Sequence, residues 1–267
     1  MTKKSKIPVH LLNGRKSAKN GLKNGLNEVT FDEKTMKDVN KMDWRSTQQD
    51  LDDKGYSIIR KVLSAVECQH MISLYHDDKL FHSVINMERY RFGKGEYKYF
   101  NYPLPLTIRS LREILYHHLV PVANRWMKSL SLNNIFPNDH DELINECHLK
   151  NQRRPTPLIL RYEAGGYNTL HQDLYGEVFF PMQTVLMLSE PGKDFEGGEF
   201  IMVEQLPRAQ SKAAAVHLNQ GDALIFTTNF RPVKGSKGYY HARMKHGVSE
   251  VTSGIRYTIG IIFHDAL

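Results

Sequence analysis

The 267-residue sequence predicts a mainly β protein with flanking helices, organised on a jelly-roll core. Two observations predict it. From Pro157 onward, short runs rich in β-branched and aromatic residues alternate with turn residues, at 158–162, 169–173, 178–189, 199–203, 214–218, 223–227, 247–251 and 256–264. Eight strands spaced this evenly make a closed or two-sheet body, for which the jelly roll is the natural solution. Upstream, apolar residues recur instead at intervals of three and four, the spacing of helices that pack one side onto a sheet.

In chain order, residues 1–27 are rich in Lys, Asn and Gly, lack apolar periodicity and read as a disordered basic tail. A helix begins near Asp32, with Met36, Val39 and Met42 three apart and Trp44 behind them, and ends in the polar 46–53 stretch. Gly55 opens a strand over 56–62. Ser64 and Glu67 then form a capping box, which starts a helix that buries Val66, Met71, Ile72 and Tyr75. Basic and aromatic residues interleave at 87–102 around Gly93 and Gly95, which predicts a hairpin. Its tyrosines are either half-buried in an ordinary strand pair or, on a flap over a site, placed to stack on a base while Arg89, Arg91, Lys94 and Lys98 meet phosphate. Next comes an amphipathic helix over 107–132 with Leu111, Ile114, Leu115, Leu119, Val122 and Trp126 on one side; Pro121 should kink or divide it. A second helix covers 139–149, and the strand-rich region follows. Region 28–156 thus reads as helical and hairpin support and lid, and 157–267 as the core.

Charge is unevenly placed. The formal net charge is +7, yet seven of the 36 Lys and Arg fall in the first 25 residues, which hold no acid, so the rest carries as many basic as acidic residues. The basic character belongs to the tail, as a solubilising or polyanion-binding arm. No apolar run approaches the roughly 18 residues of a spanning helix. Lys3, Lys4 and Lys6 precede no apolar segment of a secretory signal. Cys68 and Cys147 have no zinc spacing, which fits a reducing cytoplasm.

The stretch 158–173, L-I-L-R-Y-E-A-G-G-Y-N-T-L-H-Q-D, runs an apolar strand into a glycine turn and returns to place His171 and Asp173 two apart, on one face of an extended chain. An imidazole and a carboxylate, joined by a second histidine, make a 2-His-1-carboxylate triad that leaves positions open on Fe(II). A second H-x-D, His76 and Asp78, lies in a helical pattern where residues two apart diverge. His117, His118, His140 and His148 lack such a spacing with a strand partner and read as surface or satisfied residues. Two histidines compete to be the third ligand, His241 and His246. Beyond His246 come a strand, a Ser-Gly turn and a return strand that brings Arg256 into the barrel ten residues later, whereas His241 has Val251 at that distance. An arginine inside an apolar barrel needs a carboxylate partner, so Arg256 implies a buried anion and selects His246.

With H-x-D, a distal His and a basic residue ten beyond it, the sequence resembles the Fe(II)- and 2-oxoglutarate-dependent dioxygenases over about 157–265. R-Y-x-x-G followed by L-H-Q-D is similar to the AlkB-type nucleic-acid demethylases, while Gly197-Gly198-Glu199-Phe200 and the step from His246 to Arg256 are similar to the prolyl-hydroxylase type. The whole chain is most similar to a bacterial oxygenase family expected to demethylate damaged DNA bases oxidatively. The resemblance implies a double-stranded β-helix core, with Fe(II) held by His171, Asp173 and His246, and Arg256 gripping the distal carboxylate of 2-oxoglutarate with help from Tyr162 and Thr258. It further implies O2 as oxidant and ascorbate as a stimulant. Where AlkB-type enzymes carry a second arginine six residues beyond the first, this chain has Ile262.

For substrate, segment 207–245 holds Arg208, Lys212, Arg231, Lys234, Lys237, Arg243 and Lys245 against Asp222 alone, and lies between the strands of Asp173 and His246. A basic rim at the barrel mouth would attract an anion. With the aromatic hairpin, it favours methylated DNA or RNA presenting a flipped or unpaired base. A protein or amino-acid hydroxylase would use the same iron site, and a non-enzymatic cupin-like binding domain is the reading if the three ligands do not converge. No membrane partner is expected, and the sequence leaves the oligomeric state open.

Overall fold

The computed structural model describes residues 38–173 and 176–267. The basic tail of residues 1–27 and the helix start near Asp32 lie outside the described residues. Among these, no helix is long and apolar enough to cross a membrane.

The elements are α1 (Trp44–Lys54), β1 (Tyr56–Ile59), α2 (Ala65–Leu74), β2 (Phe81–Asn86), α3 (Met87–Tyr90), β3 (Gly93–Lys94), β4 (Glu96–Phe100), α4 (Leu106–Ser129) and α5 (His140–Leu149). Then follow β5 (Leu158–Glu163), β6 (Tyr167–His171), β7 (Met182–Met187), β8 (Phe195–Gly197), β9 (Phe200–Gln205), β10 (Lys212–Val216), β11 (Ala223–Thr227), β12 (Phe230–Gly235), β13 (Gly238–Val248) and β14 (Val251–Ile262). They form two antiparallel sheets. The major one runs β1-β11-β7-β14-β5-β4-β2, with β8 on β14; the minor one runs β10-β9-β13-β6-β3, with β12 on β13. This is the mainly β, two-sheet jelly-roll body that the strand pattern predicts.

Both faces of the major sheet are buried. Along β11, Ala223 and Ile225 pack toward the helices with Leu111, Leu115, Leu119 and Trp126 of α4, while Leu224 and Phe226 pack into the barrel against the minor sheet with Phe200, Met202 and Met244. The two-residue period of a strand therefore sorts one run of apolar residues into two cores. Local signals fix the flanks. Ser64 and Glu67 make the reciprocal capping box at the start of α2, though Val66 is exposed there, and β1 pairs with β11 as an edge strand of the major sheet.

Several expectations are corrected. Residues 46–53 are not a polar terminus, because α1 runs through them, capped by Asp43 and burying Thr47 and Leu51. Pro121 does not divide α4, which is continuous over 24 residues. Residues 87–102 do not form a hairpin: 87–90 are helical, β4 pairs with the earlier β2, and β3 crosses to β6 of the other sheet. The return before β14 falls at Ser249 and Glu250 rather than at Ser253 and Gly254. Gly254 instead lies within β14 at φ +75, where an added Cβ would stand 2.0 Å from the Asp194 carbonyl oxygen.

Candidate metal centre

Two cross-strand pairs build the site. On the minor sheet β6 and β13 place His171 directly opposite His246, with ring centroids 4.2 Å apart. Asp173, just past the end of β6, folds back so that its Oδ1 is 3.5 Å from His171 Nε2 and its Oδ2 is 3.2 Å from His246 Nε2. One ligand atom from each of the three residues lies within 4.8 Å of the others. The competing His241 lies on β13 opposite Pro232, and the decoy Asp78 is ion-paired with Lys98.

The surroundings suit a divalent cation. His171 Nδ1 is 2.7 Å from the Thr169 carbonyl oxygen, so it carries the proton and leaves the Nε2 lone pair toward Asp173. Burial and the neighbouring His246 depress the His171 pKa, keeping it neutral. His246 is held between Phe200, stacked at 5.8 Å, and Phe226 at 4.7 Å. Burial alone would raise the Asp173 carboxyl, but the facing His246 and the Gln183 amide outweigh it and hold it well below the usual carboxylate range. An ionised carboxylate between two imidazoles is the donor set of a facial triad.

On the major sheet β14 and β5 place Arg256 opposite Tyr162. Arg256 is only 1% exposed, and its Nε and Nη2 have no hydrogen-bond partner among the described residues. Burial pulls its pKa down to about 10, against the opposing pull of Tyr162 and Glu199. A buried cation with unused donors requires an anion, and a dicarboxylate meets that requirement. The double glycine makes room for it: a Cβ on Gly198 would stand 2.9 Å from Arg256 Cδ. Thr258, two residues on, shares the strand face and is buried. The Tyr162 hydroxyl sits beside the Asn168 amide, and burial pushes it up to about 12.

Both groups open onto one cavity of about 300 Å³, which also takes Met87, Phe92, Tyr97 and Tyr99 into its wall and has Ile262 in its lining. Sequence reasoning missed Gln183. This residue is buried on β7 and its Nε2 donates to Asp173 Oδ2; the available signal was a long polar side chain in a strand buried along its whole length. The basic rim is a correction. None of its Arg and Lys residues lines the cavity; Arg231 is tied to Glu204, and Arg243 and Lys245 alternate along β13 with the buried Met244 and His246, so they leave by the opposite face.

A two-sheet β barrel that gathers two imidazoles and a carboxylate beside an unsatisfied buried arginine defines the class of Fe(II)- and 2-oxoglutarate-dependent oxygenases. Residues 95–266 match a family described as "Oxygenase, catalysing oxidative methylation of damaged DNA". Two uncharacterised proteins of Mycobacterium tuberculosis, from strains CDC 1551 and H37Rv, are each 46% identical over 164 residues, 61% of this chain and 70% of the relative. Among solved structures, a prolyl-4-hydroxylase of Pseudomonas putida aligns with TM-score 0.49 at 12% identity over 84% of this chain and 99% of its own. An oxidoreductase of the 2OG-Fe(II) oxygenase family from Burkholderia pseudomallei aligns with TM-score 0.45 at 14% identity, over 85% and 93%.

The chain belongs to this oxygenase family, since the match spans well over half of it. It is an oxygenase, which sets aside the non-enzymatic cupin-like reading, and its His171, Asp173 and His246 cluster fits Fe(II).

Proposed function

We propose that this oxygenase removes N-alkyl groups from damaged nucleic-acid bases. The observation that carries the substrate is the match of residues 95–266 to a family described as acting on damaged DNA. The aromatic wall of the cavity is compatible with a flat unpaired base.

In this reading His171, Asp173 and His246 hold the iron, and Gln183 fixes the Asp173 carboxylate by donating to Oδ2. Arg256 binds the distal carboxylate of 2-oxoglutarate, with Tyr162 and Thr258 beside it. Iron, when bound, would supply the oxygen chemistry, in which one atom of O2 enters succinate as 2-oxoglutarate loses CO2 and the other enters a C–H bond of the methyl group. The resulting N-hydroxymethyl group breaks down to formaldehyde and the free N–H. Phe200, Phe226, Tyr97 and Tyr99 would give the reacting group a largely apolar wall.

The test is succinate formation from 2-oxoglutarate with Fe(II), in the presence of methylated single-stranded DNA, of unmethylated DNA, or of a peptide pool. Stimulation by the methylated strand, with formaldehyde released in equal amount, is expected. Stimulation by peptide and not by DNA would assign the chain to the hydroxylase alternative.

A further inference from the structure

The segment between β2 and β4 carries two large aromatic side chains that the fold leaves uncovered. Tyr90 is 56% and Phe92 46% exposed, with rings 5.6 Å apart and only 19° from parallel. They are held firmly. Asn86 caps α3 by accepting from the Glu88 and Arg89 backbone amides. Met87 is fully buried as an anchor, and its amide donates to the Gly95 carbonyl. The Phe92 carbonyl accepts from both the backbone amide and the hydroxyl of Thr169, two residues before His171. An exposed ring pair is therefore fixed to the strand that carries a proposed metal ligand, and Phe92 lines the mouth of the same cavity.

The charges around the pair are one-sided. Arg89, Arg91 and Lys94 are exposed on this segment with only Glu88 among them, and no ion pair engages any of the three among the described residues. A near-parallel aromatic pair extended by unpaired cations has the chemistry of a single-strand binding platform, where bases stack on rings and phosphates meet Arg and Lys. A duplex hides its base faces; an extended peptide can also lie on aromatic rings, but the three cations beside this pair add a complement to phosphates that a peptide lacks.

We propose that Tyr90 and Phe92 form a stacking platform for the nucleotides next to the one entering the cavity, with Arg89, Arg91 and Lys94 holding their phosphates. This makes an unpaired strand the preferred substrate form. The inference rests on the proposed action on nucleic-acid bases, but it concerns binding and is tested without turnover.

The experiment is fluorescence anisotropy of labelled oligothymidylate, about a dozen nucleotides long, with the metal-free full chain and its variants. Tyr90→Ala and Phe92→Ala are each expected to weaken binding roughly 5- to 160-fold, the range for losing one stacked base. Tyr90→Phe keeps the ring face and is expected to bind like the parent. Arg91→Gln with Lys94→Gln is expected to lower the slope of log affinity against log salt by roughly 0.7 per charge. The duplex of the same sequence is expected to bind more weakly and to be indifferent to Tyr90→Ala. Unfolding midpoints equal to the parent's show that the alanine variants are folded; should Tyr90→Ala fail to fold, Phe92→Ala and the charge variants decide. Alanine variants that bind like the parent, or Tyr90→Phe losing as much as Tyr90→Ala, overturn the platform. If methylated strands stimulate turnover equally in the parent and the alanine variants, the platform falls while the repair reading stands. If the parent binds no single strand and only peptides stimulate turnover, both fall.

Discussion

Replacing Arg256 by Met should make the protein more stable without its co-substrate and nearly unable to bind that co-substrate. The guanidinium is buried with Nε and Nη2 unpartnered, and burial draws its pKa from 12.5 to about 10. At 1.36 kcal/mol per decade, that places a penalty on the charged side chain of about 3 kcal/mol. Methionine has a similar reach, no charge, and apolar neighbours in Phe195, Val251 and the Tyr162 ring. If packing recovers most of the penalty, the unfolding midpoint of the metal-free protein rises by up to roughly 6–12 °C, at 2–4 °C per kcal/mol for a chain of this size. The opposite sign holds for binding. Truncating one partner of a buried, hydrogen-bonded charge pair costs about 2–5 kcal/mol, so affinity for 2-oxoglutarate should fall some 30- to 4000-fold. Calorimetric scans with chelator, followed by anaerobic titration of 2-oxoglutarate in the presence of Mn(II), measure both effects. A lowered midpoint together with unchanged co-substrate binding would refute the reasoning, because Arg256 would then be a structural cation whose partner escaped notice.

Other perturbations probe the remaining parts. His171→Ala should abolish Mn(II) binding in anaerobic calorimetry, whereas Gln183→Leu should weaken it by about 10- to 100-fold, the usual effect of removing a group that orients a ligand; equal affinity in the parent and the leucine variant would deny Gln183 that role. Asp265→Ala leaves the buried Arg112 guanidinium without the carboxylate 2.9 Å away, and should destabilise the fold by about 3–5 kcal/mol in urea titrations; a loss below 1 kcal/mol would mean that the Ile262 carbonyl and Tyr102 hydroxyl suffice for it. Burial depresses His140 and His264 to about 4. Their contribution is complete above the unfolded value near 6.5 and is lost as pH falls toward 4, because the unfolded chain takes up protons that the folded one refuses. Stability should therefore drop by about 1.4 kcal/mol per pH unit for each histidine across that window, and His140→Asn should lessen the slope. An unchanged urea midpoint between pH 7 and 5 would contradict it.

What could be read from the sequence depended on how local each signal is. The Ser64–Glu67 capping box and the buried stripe of α4 are set by neighbours three and four residues away, and they appear as expected apart from Ile114, which is only partly buried. The step from His246 to Arg256 could be picked out because a buried arginine is costly without an anion, and Gly197-Gly198 through its likeness to the prolyl-hydroxylase pattern. Pairings between distant segments left no such trace. β2 finds β4 across α3, and β3 leaves for the other sheet, so the interleaved stretch at 87–102 looked like a hairpin without being one. The basic run at 207–245 misled for a related reason: along a strand, alternate residues face opposite ways, and the same alternation that turns His246 inward turns Arg243 and Lys245 out.

That alternation also explains why Gly254 lies where a turn was expected. Val251 and Arg256 both face the barrel, since Val251 packs in its core, Arg256 lines its cavity and a Cβ added at Gly198 would meet both. They are five positions apart, an odd number, and a regular strand would put them on opposite faces. The parity is reset between Val251 and Ser253, where the pairing of β14 with β8 slips by a residue, and Gly254 takes the positive φ needed next to the Asp194 carbonyl. Without that bulge Arg256 would point toward the helices and Tyr257 into the cavity. The metal strands and the arginine strand thus belong to different sheets, and a two-residue turn and one bulge bring their side chains to a common space. Arg256 on one sheet and the His171, Asp173 and His246 cluster on the other therefore line a single cavity, where the proposed co-substrate would have to meet both.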